Sequence, residues 1–523
     1  MHLGVPTQRA TPLVPFWGAI LLGAGSGYLL DAAFPDRGWW PLAPVAVLLL
    51  LVALRGRSFG TGLLVGLISG SVFWLVQIIW LTRYLGPVPW LALGILQAIF
   101  FAIGCALIAV VLGWGPAVWP TRLGRLGMLP VVVAGLWTAR EGFTAVAPYG
   151  GFAWGRLALS QSQSPFTDLA AWLGVAGLSF VIAWVAAFAF FLILETDAPA
   201  LRRIGAIVAA IAVLIVLPAW PVIVSGTTTV AAVQGNADAG LFANRPAGEI
   251  LMDHVAASLP VEGQDVDMVV WPENASDVDP TRSFQASRML DQVATALDAP
   301  LVAGTVTERD GLYYNTSFLW EPGQGVVDYY DKGHPVPFAE YMPDRAFWRP
   351  FAPELIDLVG RDYQMGRTDG VFDIDGVIAG ISICFDIADD QLVANLMGQG
   401  AQIILAQTNN ADFGTAEQPT DESAQQLAIA RIRAVETGRT VVNISTVGES
   451  AIVAPNGSTI DSLPAFTAGA MVQEVPLSDT TTPAMVVGRG LEWLAAGVGL
   501  AGFVLACAAA VRGRRIRRSA SGR

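Results

Sequence analysis

Lysine is all but absent: of the 30 basic side chains in 523 residues, Lys332 alone is an amine and the rest are arginines. An ammonium is compact and tunable by burial, whereas a guanidinium is a planar fork that stays charged. Residue 332 is therefore either a chance survivor of an arginine-biased composition or a place that requires an amine. Histidine is equally scarce, and His2, His254 and His334 are too scattered to form a ligand cluster, so no metal is expected. No Gly-rich phosphate loop precedes a helix, and no cofactor is implied. The three cysteines, Cys105, Cys384 and Cys507, are too few for a disulfide framework. Charge is thin as well. Only 14% of residues are charged against 54% hydrophobic, which excludes an ordinary soluble composition, and nothing in the sequence indicates nucleic acid as a partner.

Long apolar runs fill the space. Crossing a bilayer core takes roughly 20 mostly apolar residues, and runs centred on 13–33, 40–54, 59–81, 88–114, 128–146, 166–194 and 203–224 answer that description, with an eighth at 491–511. The second is short, so the sequence predicts seven or eight spans. Short cytoplasmic loops accumulate basic residues. Arg55 and Arg57, Arg122 and Arg125, Arg202 and Arg203, and Arg512, Arg514, Arg515, Arg517 and Arg518 all fall on one side if there are eight spans. Both termini are then cytoplasmic and the stretch between the last two spans lies outside. The first run lacks a small-residue cleavage pattern behind it and reads as a retained anchor.

Three regions follow: an N-terminal transmembrane domain over 1–225, an extracytoplasmic domain over 226–489, and a C-terminal helix with a basic tail over 490–523. The two flanking regions each carry a net +5, which leaves −23 for the middle one out of the total of −13. That acidic domain is long enough to bury its own core. Anionic headgroups would repel it, so its lipid contacts are expected to be apolar.

Within the middle domain, apolar strands end on polar residues. "VDMVVWPENAS" ends at Glu273, "GVVDYYDKG" at Lys332, "GVIAGISICFD" at Cys384, and "AQIILAQTNNADFG" at Asn409 and Asn410. Helical stretches such as "DESAQQLAIARIRAVETG" alternate with strands, which argues an α/β sheet whose functional groups gather at strand carboxyl ends. A lone cysteine is more often a buried, inert hydrophobe. Here Cys384 is expected at a strand-to-helix turn, with a helix N-terminus directed at the sulfur to favour the thiolate. A thiolate needs a base for its proton and a cation where charge develops in a tetrahedral intermediate. Glu273, Lys332 and Cys384 together supply an acyl-transfer set.

"WPEN", "YDKGHPVPFAEYMP" and "ISICFD" resemble the Glu, Lys and Cys motifs of the nitrilase superfamily, and specifically its membrane-bound branch, the apolipoprotein N-acyltransferases. The "VPFAEYMP" segment separates that branch from soluble nitrilases and amidases, and the resemblance covers nearly the whole chain. It implies a multi-pass helical membrane domain carrying an extracytoplasmic α/β domain of αββα sandwich type, in a bacterial cell membrane. By position, it implies Glu273 as general base, Lys332 as the group stabilising the tetrahedral intermediate, Cys384 as nucleophile and Glu340 as an accessory carboxylate. It further implies a phospholipid acyl donor, a diacylglyceryl-cysteine lipoprotein acceptor and ping-pong kinetics.

The chain departs from the pattern in places. Phe385 and Asp386 stand where the family often has Tyr-Glu, and Asn409, Asn410, Ala411, Asp412, Phe413 and Gly414 stand for Asn-Asp-Ala-Trp-Phe-Gly. Gln426 replaces a common helix histidine, while Arg431, Arg433 and Glu436 match. Lipid preference and rate are where these changes would act.

Other segments bear on lipid access. Residues 345–359, "RAFWRPFAPELIDLV", read as an interfacial lid or as a packed loop. Arg140 and Glu141 lie in or beside the fifth run, where they need partners, and read as structural. Two other functions use much of the same sequence. One is a membrane-tethered amidase or nitrilase; the other is a scaffold for a polyprenyl-phosphate mannosyltransferase, which would not need the cysteine.

Overall fold

A segment that enters lipid must satisfy its backbone hydrogen bonds internally, and a single segment does so only as a helix. The computed structural model describes residues 9–240 and 243–521, the side chains of 517–521 excepted, so His2 and the side chains of Arg517 and Arg518 lie outside the described residues. Each of the eight apolar runs is helical: Phe16–Ala32, Leu42–Leu54, Phe59–Gln77, Pro87–Val118, Leu129–Thr144, Leu169–Leu194, Ala200–Val216 and Gly490–Ser521. Four of these are long and apolar enough to cross a membrane, namely Phe59–Gln77, Pro87–Val118, Leu169–Leu194 and the C-terminal helix over Gly490–Ile516. The seventh run was expected to continue to 224, but its helix stops at Val216, because Pro218 forces Leu217 into an extended conformation.

The chain forms two units. One runs to Thr82, resumes over Gly86–Ala219 and returns at Val487; the other holds Arg83–Leu85 and Trp220–Val486. In the helical unit, Gly62, Gly66 and Gly70 line one face of Phe59–Gln77 at intervals of four. A Cβ at any of them would run into Ala109, Cys105 or Phe101 of the Pro87–Val118 helix. Small residues at this spacing let two backbones approach closely where lipid offers no hydrophobic drive to association. Cys105 is buried in that seam as one of the small side chains. Arg140 and Glu141 also find partners. Glu141 Oε1 accepts from Trp137 Nε1 at 2.7 Å, from the Leu157 amide at 3.0 Å and from Arg140 at 3.0 Å, while the Arg140 guanidinium lies over the rings of Phe101 and Trp137.

The second unit is an αββα sandwich. Its first sheet has the order β12-β1-β2-β3-β4-β5, built from β1 (Val224–Gln234), β2 (Met268–Val270), β3 (Leu301–Arg309), β4 (Leu312–Glu321), β5 (Gly325–Asp331) and β12 (Gly469–Ser478). The second, β11-β10-β9-β8-β7-β6, is built from β6 (Val371–Ile374), β7 (Val377–Ile383), β8 (Ile403–Thr408), β9 (Thr440–Ser445), β10 (Ser450–Val453) and β11 (Thr459–Leu463). Alternation along a strand sends successive side chains to opposite faces. On β1, Val230 and Ala232 enter the core between the sheets with Ile381, Ile383, Leu405 and Val442, while Ala231 and Val233 pack under the helices Glu249–Ser258 and Phe284–Leu297.

Strands β1, β2 and β3 are parallel, as are β7, β8 and β9, so the carboxyl ends of β2, β7 and β8 carry the polar residues seen in the sequence. Gln407 on β8 joins the two sheets there, its Nε2 donating 2.6 Å to the Trp271 carbonyl just ahead of Glu273.

Residues 345–359 are a packed excursion with an apolar outer face. Two short helices, Arg345–Trp348 and Pro353–Leu358, enclose a small core of Met342, Ile356 and Val359 with Phe338 and Trp348. Arg345 ties the hairpin together through the carbonyls of Ile356 and Val359. Phe347 and Phe351 remain 60% and 71% exposed, which makes the segment both a packed loop and an apolar surface.

Candidate active site

Glu273 follows β2 beyond Trp271 and Pro272, on a backbone that passes close over β3. Gly304 makes the approach possible, since a Cβ there would overlap the Pro272 carbonyl, the Glu273 Cα and the Asn274 amide. The Glu273 carboxylate is buried, and its Oε1 accepts from Lys332 Nζ at 3.2 Å and from Asn315 Nδ2 at 2.7 Å. Lys332, at the end of β5, is 1% exposed and also meets Glu340 Oε2 at 2.9 Å. Asn315 Nδ2 bridges the two carboxylates, reaching Glu340 Oε1 at 2.9 Å, and the Val336 amide donates to Glu340 Oε2 at 2.6 Å.

Burial works against the Lys332 ammonium, but the carboxylates of Glu273 and Glu340 overcome it and hold its pKa well above the ordinary lysine value. For Glu273 burial wins: its pKa is raised, with Lys332 pulling the other way. A carboxylate of raised pKa is a stronger base, and a fully charged ammonium beside it is a fixed electrostatic partner.

Cys384 begins directly after β7 with φ of +51°, in the left-handed region that non-glycine residues occupy only when the surroundings hold them there. The expected helix N-terminus is not at the sulfur. Cys384 opens a short 3-10 turn, Cys384–Ala388, and the following helix, Asp390–Gly398, begins six residues on with its first amides capped by the Asp389 side chain. The expected bias towards thiolate is reversed accordingly: burial first, then the Glu273 charge, push the thiol pKa well above its ordinary value, and Lys332 pulls it down. Burial and the neighbouring carboxylates thus favour the thiol over the thiolate.

Arg433 fixes this turn. From the helix Glu422–Thr437 its guanidinium donates to the carbonyls of Ile387 and Ala388, each at 2.9 Å, and to Asp390 Oδ1 at 2.7 Å. Asp386, also buried, links the turn to the lysine loop. It accepts from Tyr330 Oη at 2.9 Å, the His334 amide at 2.8 Å, and the amides of Gly333 and Ile383 at 3.3 Å. Phe385 packs edge-on against His334, whose Nδ1 pairs with Asp389 at 2.9 Å.

The structure therefore brings Glu273, Lys332 and Glu340 into one hydrogen-bonded cluster, with the Glu273, Lys332 and Glu340 charges all acting on Cys384. Phe385 and Asp386 frame the cysteine turn. Asn409 points elsewhere, donating to the Ala239 carbonyl at 3.1 Å and accepting from Thr446 Oγ1 at 2.8 Å, so it fastens a loop. Asn315 escaped the sequence reading. A single amide inside the apolar run "LYYNTSFLW" was its only trace, and an interior strand position gives no clue to what lies opposite.

Residues 26–188 match the apolipoprotein N-acyltransferase N-terminal domain, and residues 229–483 match the carbon-nitrogen hydrolase family. An apolipoprotein N-acyltransferase of Mycolicibacterium smegmatis is 31% identical over 509 residues, covering 88% of this chain and 80% of that protein. One from Pseudomonas paraeruginosa is 29% identical, covering 96% and 97%. Among solved structures, an amidase from Nesterenkonia sp. is similar at a TM-score of 0.37, with 20% identity over 50% of this chain and 94% of that one. With both halves matched in order and a relative aligned along most of its length, the chain belongs to the apolipoprotein N-acyltransferase family.

Proposed function

We propose that the protein N-acylates membrane lipoproteins in two stages through a thioester on Cys384, with a membrane phospholipid as acyl donor. In the first stage Glu273 takes the thiol proton and the sulfur attacks the ester carbonyl. The oxyanion that forms faces the Lys332 ammonium. As the carbon–oxygen bond breaks, the departing lysophospholipid oxygen takes the proton from Glu273. In the second stage the α-amino group of a diacylglyceryl-cysteine attacks the thioester, Glu273 accepts the amine proton, the carbon–sulfur bond breaks, and the proton returns to Cys384. The two half-reactions share one site, which gives ping-pong kinetics.

The observation that carries this reading is the cluster of buried Glu273 and Lys332 with half-buried Glu340, held within electrostatic reach of a cysteine in a strained turn. Arginines following or preceding the apolar runs at 55 and 57, 122 and 125, 202 and 203, and from 512 onward support cytoplasmic termini and an extracytoplasmic site. The exposed rings of Phe347 and Phe351 suit contact with lipid by apolar surface, as the acidic domain requires.

The test is intact mass spectrometry of the purified protein after incubation with phospholipid, beside Cys384→Ala. A hydroxylamine-labile acyl adduct on the wild type alone supports the thioester. Transfer of the chain to an amine rather than to water separates acyltransferase from amidase. Full biological activity of Cys384→Ala would favour the scaffold reading, with a polyprenyl-phosphate mannosyltransferase as the partner to look for.

A further inference from the structure

Beside Cys384, reached through Gln426, lies a second buried polar network that the two-stage chemistry does not use. Its members are Gln426 and Glu422 on the helix Glu422–Thr437, Asn410 after β8, and Ser445 at the end of β9. All except Asn410, which is 6% exposed, are 2% exposed or less.

The hydrogen bonds fix the direction of each amide in turn. The Gly448 backbone N–H, which can only donate, reaches Ser445 Oγ at 2.8 Å. The Ser445 proton is thereby left for Asn410, whose facing atom at 2.5 Å is the carbonyl Oδ1. Thr408 Oγ1 donates to the same oxygen at 3.2 Å. Asn410 Nδ2 then points the other way, and its two hydrogens go to Glu422 Oε2 at 2.6 Å and Gln426 Oε1 at 2.7 Å. With its oxygen engaged, Gln426 must turn its amide nitrogen outward, and Nε2 lies 3.7 Å from Cys384 Sγ. Gly448 is required at this point, because a Cβ there would overlap the Asn410 amide.

We propose that Gln426 is a further catalytic residue, donating a hydrogen bond to the Cys384 sulfur as it becomes a thiolate, and that Asn410 is the positioning residue that sets the direction of this bond. The proposal rests on Cys384 being the nucleophile. A sulfur hydrogen bond favours the anion over the thiol. It therefore assists at the two moments when negative charge sits on sulfur: deprotonation before attack, and departure when the amine displaces the thioester. A histidine at this position could also present an N–H to the sulfur.

The test reads the thiol directly. Alkylation of Cys384 by iodoacetamide, followed by peptide mass spectrometry as a function of pH, gives its apparent titration without any lipid. Gln426→Met, similar in size and without a donor, is expected to move that titration up by about one pH unit, so alkylation at neutral pH falls about tenfold. Gln426→His is expected to restore most of it. Ser445→Ala, which leaves Gln426 untouched but removes the shorter of the two bonds that hold the Asn410 carbonyl, is expected to move it in the same direction by less, and keeps the test open if Gln426→Met does not fold. Unchanged titration in Gln426→Met, or in Ser445→Ala should Met fail to fold, overturns the proposal. Failure of the wild type to form a phospholipid-derived adduct would instead remove the nucleophile reading, and the alkylation profiles would still report whether Gln426 bonds the sulfur.

Discussion

Lys332 Nζ sits 2.9 Å from Glu340 and 3.2 Å from Glu273, so the ammonium leans towards the carboxylate that is also held by the Val336 amide. Both carboxylates hold the lysine's charge, Glu273 contributing the larger share and Glu340 the smaller. The socket is closed, with the lysine 1% exposed.

A guanidinium does not fit that socket. Lys332→Arg keeps the charge but replaces a compact head by a planar fork, and overpacking a buried site costs about 1–3 kcal/mol before any chemistry is considered. The expected result is loss of at least about a hundredfold in thioester formation, the scale seen when an oxyanion partner is displaced. It is measured as single-turnover acylation followed by mass spectrometry. Acylation within a few-fold of wild type would remove Lys332 from the oxyanion role.

Asn315 donates to both carboxylates through one nitrogen, and its bond lowers the pKa of Glu273 against the upward push of burial. Asn315→Leu removes that donor, so the Glu273 pKa rises further and the base stays protonated to higher pH. Acylation by the variant should therefore fall more at pH 6 than at pH 8, with the acid limb of the pH–rate profile displaced upward. A uniform fall at every pH would mean that Asn315 shapes the site without tuning the base.

How far the sequence revealed this site depends on what kind of contact is involved. Glu273, Lys332 and Cys384 each close an apolar strand, and a strand end is visible in a pattern of hydrophobicity. The solitary lysine added a compositional signal that few sites offer. The eight helices were legible for the same reason, since each is a run of hydrophobicity, although only four of them are long and apolar enough to cross a membrane. The environment of Cys384 was not legible: a 3-10 turn and an Asp389 cap separate it from the helix that the sequence placed beside it, and burial outweighs any dipole. Asn315 and Gln426 lie mid-element, where function depends on which residue of a distant strand or helix stands opposite. Register between elements far apart in sequence cannot be read from either one alone.

Asp386 gathers four donors on a short side chain, from Tyr330, Gly333, His334 and Ile383. It joins the lysine loop to the cysteine turn. Asp386→Asn keeps the volume but exchanges one acceptor oxygen for a donor facing N–H groups, and about 1–3 kcal/mol of stability should be lost. The loss should appear as a lower thermal midpoint in detergent. Tyr330→Phe removes one donor and is expected to cost less. Equal midpoints for wild type and Asp386→Asn would show that the two loops are held apart from this carboxylate.

Glu422 gives a pH dependence that is separable from chemistry. Burial, with a smaller push from the Glu273 charge, raises its pKa from the ordinary 4.5 to about 8, while the Asn410 bond works the other way. Between those two values the unfolded chain has released a proton that the folded protein keeps. The folded state binds more protons there, so its stability falls as pH rises through the window, and the fall ends once pH passes the folded pKa. The full penalty is on the order of a few kcal/mol. Glu422→Gln is neutral at every pH and can still accept from Asn410, so it should lose this slope. Its thermal midpoint relative to wild type is expected to rise between pH 5 and pH 8.5, by several degrees. Parallel midpoint curves for the two proteins would mean that the Glu422 carboxyl is already ionised in the fold at neutral pH.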